Sequence, residues 1–157
     1  IPGDWGPHLA TMRDFWSSLT LTSGRYKGNP LTVHRGIEGI KPQLFDRWLA
    51  WSQSDPSSGG CFFVAMATDL DDRPGPSRDL LVRLQRSWMG LLADLVRAAV
   101  REGHFRPETD AEQFANDMYG VMLAYHHASR LLDDPSAEER ARRALAALVD
   151  ARRAADG

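Results

Sequence analysis

Apolar residues along this chain recur at intervals of three and four, and no segment alternates apolar and polar over six or more residues. That is the period of a helix face and not of a strand, so the whole chain is predicted helical. A first helix is expected from about Asp4–Pro7, with Asp4 as N-cap and Leu9, Met12, Trp16 and Leu19 on one face, stopping at Ser23-Gly24. Four glycines and two prolines in residues 24–42 make most of that stretch loop, with a short helix around Leu31–Arg35. Pro42 opens a helix carrying Phe45, Trp48 and Leu49, with Trp51 a further candidate for its stripe.

The run SQSDPSSGG at 52–60 reads as a flexible joint, and a helix from about Cys61 to Asp69 ends at DDRPGP. Three strongly patterned helices follow. From Ser77 to Glu102 the stripe is Leu81, Leu84, Trp88, Leu91, Leu95 and Ala98, and Gly103 sits where a C-cap belongs. Thr109 with Glu112 has the spacing of a capping box, opening a helix with Phe114, Met118, Val121, Met122 and Tyr125 on one face. Tyr119, Leu123 and His126 lie on an adjacent face, so this helix is expected at the centre or at an interface. Ser136 with Glu139 repeats the box for a last helix, whose Ala141, Ala144, Leu145 and Leu148 face inward while Arg140, Arg142, Arg143 and Arg152 fall largely outside the stripe.

The 157 residues suffice for one domain with a sizeable core. Apolar residues at 43% and charged residues at 25% are ordinary for a globular protein, and a net charge of −2 gives no field favouring nucleic acid. No apolar run is long enough to cross a membrane. The chain starts at Ile1, with no basic stretch and apolar core of a signal peptide behind it, and reads as a piece of a longer or processed protein. The one cysteine, Cys61, cannot form an internal disulfide and fits a cytoplasmic location.

Composition changes along the chain. Residues 1–54 hold both lysines and four of the five tryptophans, with 6 basic and 4 acidic residues; from residue 55 every base is arginine, alanine is abundant, and 13 basic face 17 acidic residues. Three regions follow: 1–51, a linker at 52–60, and 61–157.

Catalytic signatures are missing from the sequence. No glycine loop has the strand-turn-helix context of a phosphate site, no GxSxG elbow occurs, and one cysteine cannot build a zinc site. His126 and His127, being adjacent, project about 100° apart and do not form a chelating i, i+4 pair. The acidic clusters Asp69–Asp72 and Asp133-Asp134 sit at helix breaks as turn and cap residues. The chain is expected not to be an enzyme.

Two family resemblances carry the functional expectations. The first rests on GGCFFVAMATDLDDRPGPSRDLL (59–81), REGHFRPETDAEQFANDMYGVMLAYHHASRLL (101–132) and PSAEERARRALAALV (135–149). Over residues 44–153 the chain resembles the C-terminal ligand-binding and dimerisation domain of TetR-family transcriptional regulators. The resemblance implies a single all-α domain that pairs with a second copy through its last two long helices, here about 110–132 and 136–153. Val121, Tyr125, Leu145 and Leu148 are the implied interface, with alanines allowing close approach. It also implies a pocket for a small apolar or aromatic effector, with Phe63, Met66, Trp88, Met89, Met118, Tyr119 and Met122 as its lining. Methionine adapts to varied apolar shapes. No helix-turn-helix is recognisable, so this chain alone is not expected to bind DNA specifically.

The second resemblance rests on PGDWGPHL (2–9), MRDFWSSL (12–19), GRYKGNP (24–30), His34 and FDRWLA (45–50). Over residues 2–50 the chain resembles the middle of a group III truncated haemoglobin. That implies haem b, with His34 as the proximal iron ligand, His8 distal, and Met12, Trp16 and Trp48 around a bound diatomic gas. A neutral imidazole is a standard axial ligand for haem iron. The haemoglobin pattern begins here at the distal helix, and its terminal helix is not recognisable. The two resemblances share FDRWLA, the arrangement that a natural or engineered join would leave. The leading expectation is an effector-responsive homodimerising module with no cofactor; the alternative is a gas-binding haem protein, in which His34 is the only metal ligand.

Overall fold

The computed structural model describes residues 45–53 and 62–154, and their architecture is all-α. Five helices are described: α1 Phe45–Gln53, α2 Phe62–Leu70, α3 Pro76–Arg101, α4 Ala111–Arg130 and α5 Ala137–Asp150. The only β-type pairing among these residues is an isolated antiparallel bridge between Phe105 and Arg153. The helix expected from Asp4–Pro7 and the loop at 24–42 lie outside the described residues.

α3, α4 and α5 form the framework, with α4 packed between the other two and α2 laid against α3. Their facing stripes close one core. α4 contributes Phe114, Met118, Met122 and Tyr125, α5 contributes Ala137, Ala141, Leu145 and Val149, and α1 adds Phe45, Trp48 and Leu49. Along α3 the buried line drifts from Leu81 and Trp88 to Leu92, Val96 and Ala99, leaving Leu95 and Ala98 only half-buried. Intervals of three and four do not close on a turn of 3.6 residues, so the inward face rotates along so long a helix.

The ends of the helices follow local chemistry. α3 begins one residue earlier than expected, with Gly75 at the N-cap and Pro76 in the first turn, where its missing N–H costs nothing. It stops in a Schellman turn: Gly103 adopts φ 75°, its N–H bonds Val100 O at 3.0 Å, and His104 N–H bonds Ala99 O at 2.9 Å. Thr109 does not cap α4. Asp110 does, its Oδ1 accepting from Gln113 N–H at 2.9 Å, while Glu112 turns away to pair with Arg97 of α3.

Ser136 occupies the N-cap of α5 without a side-chain hydrogen bond. Asp134 organises that corner instead, accepting Ser136 N–H at 2.8 Å on one oxygen and Arg140 at 2.8 Å on the other. Past α5 the chain returns to the α3–α4 connection. Arg106 N–H bonds Arg152 O at 2.9 Å, Ala154 N–H bonds His104 O at 3.0 Å, and Phe105, only 1% exposed, stacks 5.4 Å from Phe114. Arg152 completes the closure, bonding Asp117 at 2.9 Å with its guanidinium 5.8 Å from the Phe114 ring centroid.

Candidate functional site

The seven residues implied as an effector lining come together from three helices. Phe63 and Met66 sit on α2, Trp88 and Met89 on α3, and Met118, Tyr119 and Met122 on α4. Phe63, Trp88, Met118 and Met122 belong to the core itself; Met66, Met89 and Tyr119 are half-buried against it. The set is uncharged and rich in sulfur and aromatic rings. Four methionines give it unbranched side chains that can change rotamer around a guest, while Phe63 and Trp88 supply flat walls.

A polar element absent from the sequence-based lining crosses this region. Gln85 of α3 donates from Nε2 to the Tyr119 hydroxyl at 2.9 Å. Gln85 lies one turn before Trp88 and Met89 on the same helix. A pairing across 34 residues leaves no periodic trace by which sequence could have found it.

The residues implied for dimerisation divide. Tyr125 and Leu145 are buried within the chain, whereas Val121 and Leu148 are half-buried. Between α4 and α5 runs an open, largely apolar groove of about 560 Å³. Gly120, Ala124 and Ala128 line it at intervals of four from α4, and Ala137, Ala141 and Ala144 face them from α5. Val121 and Tyr125 complete its wall; Leu145 and Leu148 do not reach it. Ala144, expected inside, is exposed on this groove, because a methyl group is accommodated equally well on either side of a helix. Asp117 stands toward one end and Arg140 toward the other, the latter with its Nη1 2.8 Å from Asp134.

Trp48 is the one described member of the haem set. It is 3% exposed, with its ring centroid 5.6 Å from those of both Phe45 and Tyr125 in the helical core. His8, Met12, Trp16 and His34 lie outside the described residues. Among the described residues no group of three or more His, Cys, Asp or Glu could hold a metal ion, and no helix is long and apolar enough to cross a membrane. His126 is half-buried on α4; burial first, then the charge of Arg130 and neighbouring His127, holds its pKa below the ordinary 6.5.

Comparison with known proteins gives two findings. A family model described as the C-terminal domain of tetracyclin repressor-like proteins matches residues 42–145. A 46-residue stretch is 33% identical to the group 3 truncated hemoglobin ctb of Campylobacter jejuni. That stretch is 29% of this chain and 36% of the hemoglobin, so the chain spans about a third of the relative's length.

Proposed function

This chain belongs to the family of tetracyclin repressor-like C-terminal domains, and from that premise we propose that it is the effector-responsive dimerisation module of a transcriptional regulator. The observation that carries the reading is the groove between α4 and α5, lined by glycine and alanine on a solvent-facing side of the two helices. Small side chains let a second pair of helices approach to close backbone distance. The proposed occupant is a second copy of this chain, to which the charged groups at the groove's ends, paired within the chain as Asp117 with Arg152 and Arg140 with Asp134, would extend their pairing. A two-fold axis through the middle of the groove would bring Asp117 of one subunit toward Arg140 of the other, and the reverse, the reciprocity of an isologous interface.

Sedimentation equilibrium tests this. A dimer is expected, with both Ala124→Arg and Ala144→Arg giving monomers of unchanged helical content, since neither side chain is buried within the chain. A monomer at every concentration, or a dimer indifferent to both changes, would overturn the reading. The effector is proposed to be a neutral, apolar or aromatic molecule held among Met66, Trp88, Met89 and Met122, with Gln85 and Tyr119 giving it one polar contact. Thermal-shift screening of neutral aromatic and aliphatic compounds, repeated with Gln85→Leu and Met122→Val, checks it. Stabilisation by none, or stabilisation blind to both variants, would remove this part of the proposal.

A second reading concerns the front of the chain and rests on its likeness to the truncated hemoglobin. In it His34 ligates haem iron, and His8, Met12 and Trp16 flank the opposite face. Trp48, which in this reading lines the same pocket, is buried beside Phe45 and Tyr125. Titration with haemin is the test: a Soret band saturating at one haem per chain and lost in His34→Ala supports this reading. A spectrum of unbound haem, or one unaltered by the substitution, rejects it.

A further inference from the structure

Tyr125 belongs to two surfaces at once. It lines the groove between α4 and α5. Its ring also contacts α1: it meets Trp48 edge-on at 5.6 Å and 74°, meets Phe45 at 6.1 Å and 80°, and its hydroxyl accepts from Gln53 Nε2 at 3.1 Å. The other tie to α1 comes from α5. Arg142, steadied by Glu138 at 2.8 Å, bonds Asp46 at 2.6 Å and lies 5.4 Å from the centroid of the Phe45 ring.

α1 is described over nine residues, Phe45–Gln53, and a stretch of that length is held as a helix by tertiary packing rather than by propensity. Its order therefore depends on these side-chain contacts, and the named partners stand on α4 and α5, the helices that form the groove.

We infer that Tyr125 couples the groove to α1, so that docking a second copy in the groove tightens the attachment of α1. The inference rests on the dimer reading of the groove. A partner pressed against Ala124 and Ala128 restricts the α4 surface on which Tyr125 sits, and a restricted Tyr125 holds Trp48, Phe45 and Gln53 in place. Linkage makes the effect reciprocal: loosening α1 weakens the dimer by the factor by which dimerisation steadies α1.

Hydrogen exchange and sedimentation on the full chain test both directions. Amides of 45–53 are expected to exchange more slowly in the wild-type dimer than in monomeric Ala124→Arg, by at least about threefold. The double variant Gln53→Ala with Asp46→Asn alters α1 alone, at side chains outside the groove, and is expected to dissociate at roughly threefold higher concentration with its helical content kept. A dimer whose 45–53 exchange matches that of the monomer, or whose dissociation constant ignores the double variant, overturns the coupling and leaves the dimer standing. The absence of any dimer overturns the groove reading and the coupling with it.

Discussion

His126 makes a group of ordinary chemistry into a measurable reporter. Burial, reinforced by Arg130 and His127, lowers its pKa below 6.5 in the folded chain. The unfolded chain therefore takes up the proton first as pH falls, and stability declines from about 6.5 downward until the folded state protonates as well. Above that window the group contributes no pH dependence. Replacing it by asparagine should reduce the loss of melting temperature between about pH 7.5 and 5.5. An identical loss in wild type and His126→Asn would show that burial does not perturb this imidazole. The sequence set His126 beside Tyr119 and Leu123 on the flank of α4, yet periodicity could not say how far that flank is covered.

At the level of the helices, the α4 N-terminus separates what the sequence made legible from what it did not. The motif Thr109-x-x-Glu112 has the spacing of a capping box, yet Asp110 supplies the cap and Glu112 bonds Arg97 instead. Thr109 is displaced one position out of the helix, and its buried Oγ1 has no hydrogen-bond partner among the described residues. Asp110→Ala should therefore cost about 1 kcal/mol, while Thr109→Val should be neutral or stabilise by up to about 1 kcal/mol, because it removes an unpaired buried hydroxyl without changing shape. A capping box predicts the opposite pattern, so urea unfolding of the two variants decides between them. The existence of α3, α4 and α5 was readable because each repeats its apolar residues over several turns. Phe105 was not: a lone aromatic between Gly103 and Thr109 has no period, and its burial depends on the return of the chain beyond α5. The bond from Arg142 to Asp46 joins residues 96 apart and is equally silent in the sequence.

For the whole molecule, the distribution of apolar surface argues for association. The core collects the large side chains of all five described helices, while the α4–α5 side keeps a glycine- and alanine-lined groove open. The turn beside it leaves Leu131 69% and Leu132 61% exposed. Sequence pattern could assign large residues to the inside, but it had no means of telling a buried alanine such as Ala141 from an exposed one such as Ala144, and both kinds line the groove. If that groove is filled by a second copy, folding and dimerisation share one equilibrium, and the folded state gains stability with protein concentration. The thermal midpoint of the wild type should then rise steadily as the chain is concentrated above its dimer dissociation constant, while that of Ala124→Arg stays level. Equal, flat dependences would show that the exposed small-residue face contributes nothing to stability through a partner, however well its shape suits one.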